Sequence, residues 1–223
     1  MPLWISSFPR SGNTLVRQMI YSGWGQLSGS ISKNDLGDNL DLIRSCGHVE
    51  LKKIKQSENR LTIINPNNVP IKTHAPLPGK GQIIYVMRAG RKSIVSLWEF
   101  MGRATDIQAV IRGQTPFGLW SDHVMQYMTS DRIVAALRYE DILADSSAAI
   151  KDLSALFGAP VDDPAAPLSG RNDLAQSDGK WVRKLSDWRE HWSHELDELF
   201  RETNAPAIER FYPQEAHAFD DAD

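Results

Sequence analysis

One stretch near the start of this sequence, Phe8 to Ile20 (FPRSGNTLVRQMI), limits the folds open to the chain more than any other. It follows a short β-leaning apolar segment, Leu3 to Ser7. It leads through a turn containing Pro9 and Gly12 into Thr14 to Tyr21, where Leu15, Met19 and Ile20 recur at helical spacing. A strand that passes through a tight glycine turn into a helix leaves the first N–H groups of that helix without intrahelical partners. The amides of Ser11, Gly12, Asn13 and Thr14 are then free to point at an anion, aided by ~0.3–1 kcal/mol of dipole attraction. Arg10 adds a planar, permanently charged fork suited to phosphate or sulfate oxygens. The stretch departs from the G-x-x-x-x-G-K-[ST] order of nucleoside triphosphatases. No glycine stands five residues before Gly12, and Asn13 occupies the place of the lysine.

The same strand, loop, helix unit returns at Gln82 to Met87 (QIIYVM). The helix after it carries Ile94, Leu97, Trp98 and Met101 on one face. Further strands are predicted at Val69 to Thr73 (VPIKT) and Ile133 to Tyr139 (IVAALRY). The second leads into a helix with Ile150, Leu153, Leu156 and Phe157. Strands alternating with helices predict an α/β fold with a central parallel sheet flanked by helices. Ligands of such sheets gather beyond the carboxyl ends of the strands. Phe8 to Asn13, Lys72 to His74, Arg88 to Lys92 and Tyr139 thereby become the candidates for chemistry. Arg88, Arg91, Lys92 and Ser96 in MRAGRKSIVS form a second basic cluster, so the sheet edge reads as a receptor for a ligand with phosphates at two ends.

A length of 223 residues predicts one domain over 1–223, with a frayed acidic tail from about residue 216. Lys and Arg number 25 against 28 Asp and Glu, which argues against a nucleic-acid or acidic-membrane binder and makes any anion site local. Neither a leader nor a spanning segment is read in the sequence, and the lone Cys46 has no partner for a disulfide; both predict a cytoplasmic protein. Cys46 reads as a small buried residue. Gly23 to Asn68, dense in Gly and Asn, reads as loops around one or two short helices, and Ala159 to Lys180 as a lid or connector.

Taken in order, FPRSGNTL, IKTHAPLP, VMRAGRKSIVS, FGLWSDHV, LRYEDIL and VRKLSDWREHW resemble the successive blocks of the sulfotransferase family that uses 3′-phosphoadenosine 5′-phosphosulfate (PAPS). The resemblance implies an α/β fold related to the P-loop nucleotide kinases and a donor that leaves as adenosine 3′,5′-bisphosphate. It makes Arg10, Ser11, Gly12, Asn13 and Thr14 the 5′-phosphosulfate loop, with Arg10 in place of the family's usual lysine. His74 becomes the general base toward an acceptor hydroxyl and Lys72 a contact to the sulfuryl group. Arg88 and Ser96 become the 3′-phosphate pair, joined by Arg183 and Lys184, and Tyr139 the ring beside the adenine. No metal is expected. The acceptor is expected to be a small molecule or a glycan carrying a hydroxyl or, in second place, an amine.

The chain departs from the family pattern at three positions: Arg10 for lysine, Leu15 where a tryptophan is usual, and Leu185 for glycine. Leu15 leaves adenine to find another aromatic partner, with Trp181 the candidate. Trp120 and His123 resemble residues bordering the acceptor pocket, yet fit a core equally well. Two other readings stay open: a kinase-like P-loop enzyme, and a non-catalytic nucleotide binder on the same fold. The acceptor pocket is expected from Gly23 to Asn68 and Gly102 to Gly118.

Overall fold

The computed structural model describes residues 1–32, 35–57, 60–64, 68–169 and 187–217, with the backbone alone for 52–57 and 60–64. Five strands form one all-parallel sheet in the order β2 (Gly29–Ser30), β5 (Ile71–Thr73), β1 (Leu3–Ser7), β6 (Gln82–Met87) and β7 (Ile133–Arg138). β1 is central, pairing Ser6 with Thr73 on one side and Ser7 with Val86 on the other, so the ends of β1, β5 and β6 emerge together.

The alternation of side chains along β6 explains why helices cover both faces. Ile83, Tyr85 and Met87 enter one core with residues of α3 (Gly90–Phe100), α4 (Ile107–Ile111), α5 (Trp120–Met128) and α9 (His194–Phe211). Ile84 and Val86 enter the other, with Ile5 of β1 and residues of α1 (Asn13–Trp24), α6 (Tyr139–Ala144) and α7 (Ser147–Phe157). Each such aliphatic side chain, buried completely, contributes about 1.5–3 kcal/mol. α1 ends where Gly25 takes a left-handed conformation (φ 61°) and its N–H bonds the Tyr21 carbonyl at 2.8 Å. Cys46 is buried beside α2 (Leu40–Ser45), which pushes its thiol up to about 11 and leaves it the small buried residue expected.

The structure differs from the expectations in several places. Strand β5 begins at Ile71, because Pro70 has no N–H to donate to the ladder. Tyr139 opens α6 instead of closing β7. The Gly23 to Asn68 region contains the expected short helix α2, and also an antiparallel hairpin, β3 (Lys52–Ser57) with β4 (Arg60–Ile64), in a segment expected to be loop. Within Ala159 to Lys180, α8 (Ala166–Ser169) is helical and the rest from residue 170 lies outside the described residues. Ala216 closes a 3₁₀ turn (Pro213–Ala216) whose Glu215 is buried; the tail at 218–223 is not described. No helix among the described residues is long and apolar enough to cross a membrane.

Candidate functional site

The turn between β1 and α1 is held in an uncommon backbone shape. Arg10 (φ 66°) and Gly12 (φ 101°) both lie in the left-handed region, which costs a non-glycine residue strain. Gly12 is needed twice over. A Cβ there would come within 2.3 Å of Cδ2 of Tyr139, whose ring packs directly on the turn. Gly12→Ala is therefore expected to displace either the turn or Tyr139 and to weaken anion binding by roughly 100-fold. Titration calorimetry with adenosine 3′,5′-bisphosphate checks this, and near-wild-type affinity would contradict it.

Helix α1 starts with no side-chain cap and no acidic residue in its first turn, which leaves its leading amides for a ligand. One amide expected to be free is not: Ser11 donates its N–H to the Phe8 carbonyl at 3.3 Å, because the turn closes on itself. The side chain of Ser11 meets Ser93 Oγ at 3.3 Å, and Asn13 Nδ2 donates to the Ile5 carbonyl at 3.0 Å, which pins the turn to α3 and β1.

The two expected anion positions share residues. Arg10 Nε donates to Ser96 Oγ at 3.2 Å with its guanidinium 5.2 Å from the Phe100 ring centre. Arg88 NH1 donates to the Arg10 carbonyl at 2.8 Å, and its guanidinium lies 4.8 Å from the centre of the Tyr139 ring. Arg10, Gly12, Arg88, Ser96 and Tyr139 thus form one continuous cluster. Tyr139 is only 4% exposed, so much of its surface is spent on the turn and the core.

Arg91 does not belong to this cluster, contrary to expectation. It is fully buried and donates through Nε to Asp197 Oδ1 at 2.6 Å and through NH1 to the Glu215 carbonyl, with its guanidinium 4.6 Å from the Phe200 ring centre. Its backbone N–H bonds Glu215 Oε2 at 3.2 Å, and Ala89 N–H bonds Glu140 Oε1 at 3.0 Å. The start of α3 is therefore already met by two carboxylates, and the second anion position rests on Arg88 and Ser96.

On the other side of the turn stand Lys72 and His74, two residues apart at the end of β5. His74 Nδ1 lies 2.8 Å from the Ser7 carbonyl, which can only accept, so Nδ1 carries the proton and Nε2 keeps its lone pair. Burial, with the Lys72 charge, holds the imidazole well below its usual value, against the pull of that hydrogen bond and of Asp35. Lys72 donates to Asp35 Oδ1, a carboxylate that sequence reasoning did not single out.

Trp120 and His123 lie in the core. Trp120 Nε1 donates to the Arg88 carbonyl at 3.2 Å. His123 stacks on Tyr127 at 4.8 Å, with Nδ1 2.9 Å from the Tyr85 hydroxyl, and burial lowers it to about 4. Arg183, Lys184, Trp181 and Leu185 lie outside the described residues. Among the described residues, no group of three or more His, Cys, Asp or Glu is placed to hold a metal ion.

The missed residues left one faint signal. Arg17 follows Asn13 and Thr14 by four and three positions, so the helix presents it on the same side as the turn. Asp35, in SKNDLGDN, carries no pattern at all.

Comparison with known proteins identifies the family. One curated relative, sulfotransferase 2B1 of Mus musculus, is 23% identical over 188 residues, an alignment covering 66% of this chain and 55% of that protein. The chain thus spans about half the length of the relative it matches. Residues 1–201 match the sulfotransferase domain, a stretch that contains the β1 turn, Lys72, His74, Arg88 and Ser96; the chain belongs to the sulfotransferase family.

Proposed function

We propose that the protein transfers a sulfuryl group from PAPS to a hydroxyl or, in second place, an amine on a small molecule or glycan, in the cytoplasm. The observation that carries this reading is the meeting, at one sheet edge, of an uncapped helix start and the Arg10, Arg88 and Ser96 cluster with an imidazole whose free nitrogen is Nε2. The donor brings an activated sulfuryl group at one end and a 3′-phosphate at the other. The amides opening α1 and the Arg10 guanidinium fit the first, and Arg88 with Ser96 fits the second, with Arg183 and Lys184 as further partners. Tyr139, beside the adenine in this reading, acts mainly by holding Gly12 and Arg88 in place.

His74 Nε2 takes the proton of the acceptor hydroxyl. Arg10 and Lys72 face the negative charge that develops on the leaving phosphate and the sulfuryl oxygens, a contact that counts to the extent that it strengthens in the transition state. Arginine keeps its proton, so the help of Arg10 is electrostatic. Arg10→Ala is expected to weaken bisphosphate binding by ~1.5–3 kcal/mol, roughly 10- to 150-fold, and to slow turnover as well. Calorimetry and initial rates read the two effects, and unchanged affinity would remove Arg10 from the site.

A kinase-like reading is disfavoured by Asn13 in the position of the phosphate-binding lysine. A purely binding role leaves His74 Nε2 with no proton to accept. The direct test is incubation with sulfur-labelled PAPS and a panel of phenols, alcohols, sugars and amines. Label transferred to one class, with matching release of the bisphosphate, is expected. Transfer from labelled ATP, with none from PAPS, would overturn the reading.

A further inference from the structure

Lys72 is anchored from behind. Its ammonium donates to Asp35 Oδ1, and the other carboxylate oxygen lies 2.6 Å from Arg17 NH1. Arg17 Nε donates to Ser28 Oγ at 2.8 Å, and its NH2 lies 2.9 Å from His48 Nδ1. The side chains of Arg17 and Asp35 are 1% and 2% exposed, and that of Lys72 is 10% exposed. The carboxylate therefore sits beneath, and the ammonium is the member nearer to solvent. One carboxylate, from the turn before α2, joins the helix that follows the anion-binding turn to the end of β5.

We infer that Asp35 is a positioning residue: it holds the Lys72 ammonium in place near His74. The inference rests on the sulfuryl-transfer reading of these two residues. An ammonium has three N–H donors, and Asp35 takes one, which leaves two for sulfuryl oxygens. His74 follows Lys72 by two positions, just past the end of β5, and lies near enough for the Lys72 charge to act on its imidazole. Without the carboxylate, a long four-carbon stem must be ordered each time a ligand binds, and the cation is placed less accurately for the transition state.

Asp35 also keeps Lys72 charged. The groups near this ammonium are Asp35, Arg17 from α1, Arg10 from the turn, His74 just past its own strand, and His48 and Cys46 on the far side of Arg17 and Asp35. Burial lowers the Lys72 pKa, the Asp35 charge and hydrogen bond raise it, and Arg17 and Arg10 lower it again, for a net lowering. Removing the carboxylate drops it further. The charged form is then lost at a lower pH than in the wild type, and the alkaline limb of the rate moves toward neutrality.

The test compares Asp35→Asn, Asp35→Glu, Lys72→Met and the Asp35→Asn/Lys72→Met double variant. Asp35→Asn is expected to lower kcat by roughly 10- to 100-fold with a smaller change in donor KM, and to shift the alkaline limb downward, with Asp35→Glu recovering part of both. In the Lys72→Met background the Asn substitution should add nothing. A folded Asp35→Asn protein with wild-type kcat and pH profile, or losses that multiply in the double variant, would overturn the inference. A second measurement needs neither turnover nor a variant. In wild-type protein with nitrogen-labelled lysine, the Lys72 ammonium should exchange slowly and correlate with the Asp35 carboxylate carbon; a freely exchanging ammonium would overturn the inference even if Asp35→Asn fails to fold. The two readings fail differently: an inactive wild type with the paired ammonium intact removes the transfer reaction, and an active wild type matched by Asp35→Asn removes the role of Asp35.

Discussion

His74→Ala is expected to leave bisphosphate binding nearly intact and to lower turnover by ~10²-fold or more. The split follows from geometry. The imidazole is fixed by the Ser7 carbonyl through Nδ1, and its contribution to the reaction comes from Nε2. Alanine deletes the proton acceptor without touching the amides of α1 or the Arg88 and Ser96 pair. The same imidazole sets a pH dependence. Its pKa is held well below 6.5, chiefly by burial and then by the Lys72 charge, and only the neutral ring accepts a proton. The rate should therefore be flat through neutral pH and fall only as pH approaches that lowered pKa, well below 6.5. A limb centred at or above 6.5, or undiminished turnover in His74→Ala, would remove His74 as the base. Folding carries the same sign. His74 and His123, the latter lowered to about 4, are held neutral in the native chain and bind protons more readily when unfolded. Their burial is free of penalty above about pH 6.5, and stability is lost as pH falls below it.

Arg91→Met is expected to produce the largest loss of stability, ~3–5 kcal/mol, because it strands Asp197 and Glu215, which are buried against the guanidinium. In a chain of this size that corresponds to a fall in Tm on the order of 10 °C. Asp197 keeps an ion pair with Arg201 at 3.1 Å, so the lower part of the range is the more natural result. Bisphosphate affinity, measured below the lowered Tm, should stay close to wild type, since Arg91 serves the junction of α3 and α9 and not the anion. Scanning calorimetry and a binding titration separate the two roles. Retained stability with lost binding would return Arg91 to the anion cluster.

What could be seen in advance depended on whether one local pattern decided the outcome. QIIYVM is apolar on both faces of a strand and is followed by a helix-spaced face, so β6 and α3 emerged within a residue or two of expectation. The β1 turn was legible for the same reason, as a glycine turn between an apolar run and a helical repeat. The β3–β4 hairpin was hidden because Lys52, Lys53, Ile54 and Lys55 show no clean alternation, and Asn65, Asn67 and Asn68 after it read as turns. Arg91 looked like its neighbour Arg88 in sequence. What separates them is tertiary: Arg88 turns back to the Arg10 carbonyl, and Arg91 is met by carboxylates 106 and 124 positions away. Asp35 was invisible for the same cause, since its meaning comes from Arg17 and Lys72, 18 and 37 positions away. Buried charges declare their roles only once their partners are placed.

The central claim is that this sheet edge receives a nucleotide with anionic groups at both ends and not a nucleoside triphosphate. Titration calorimetry of the intact chain with adenosine 3′,5′-bisphosphate, beside ATP with magnesium, tests it most directly. Saturable binding of the bisphosphate, much weakened in Arg88→Ala and little changed in His74→Ala, is the predicted result. Firm binding of ATP with magnesium, together with no binding of the bisphosphate, would contradict it.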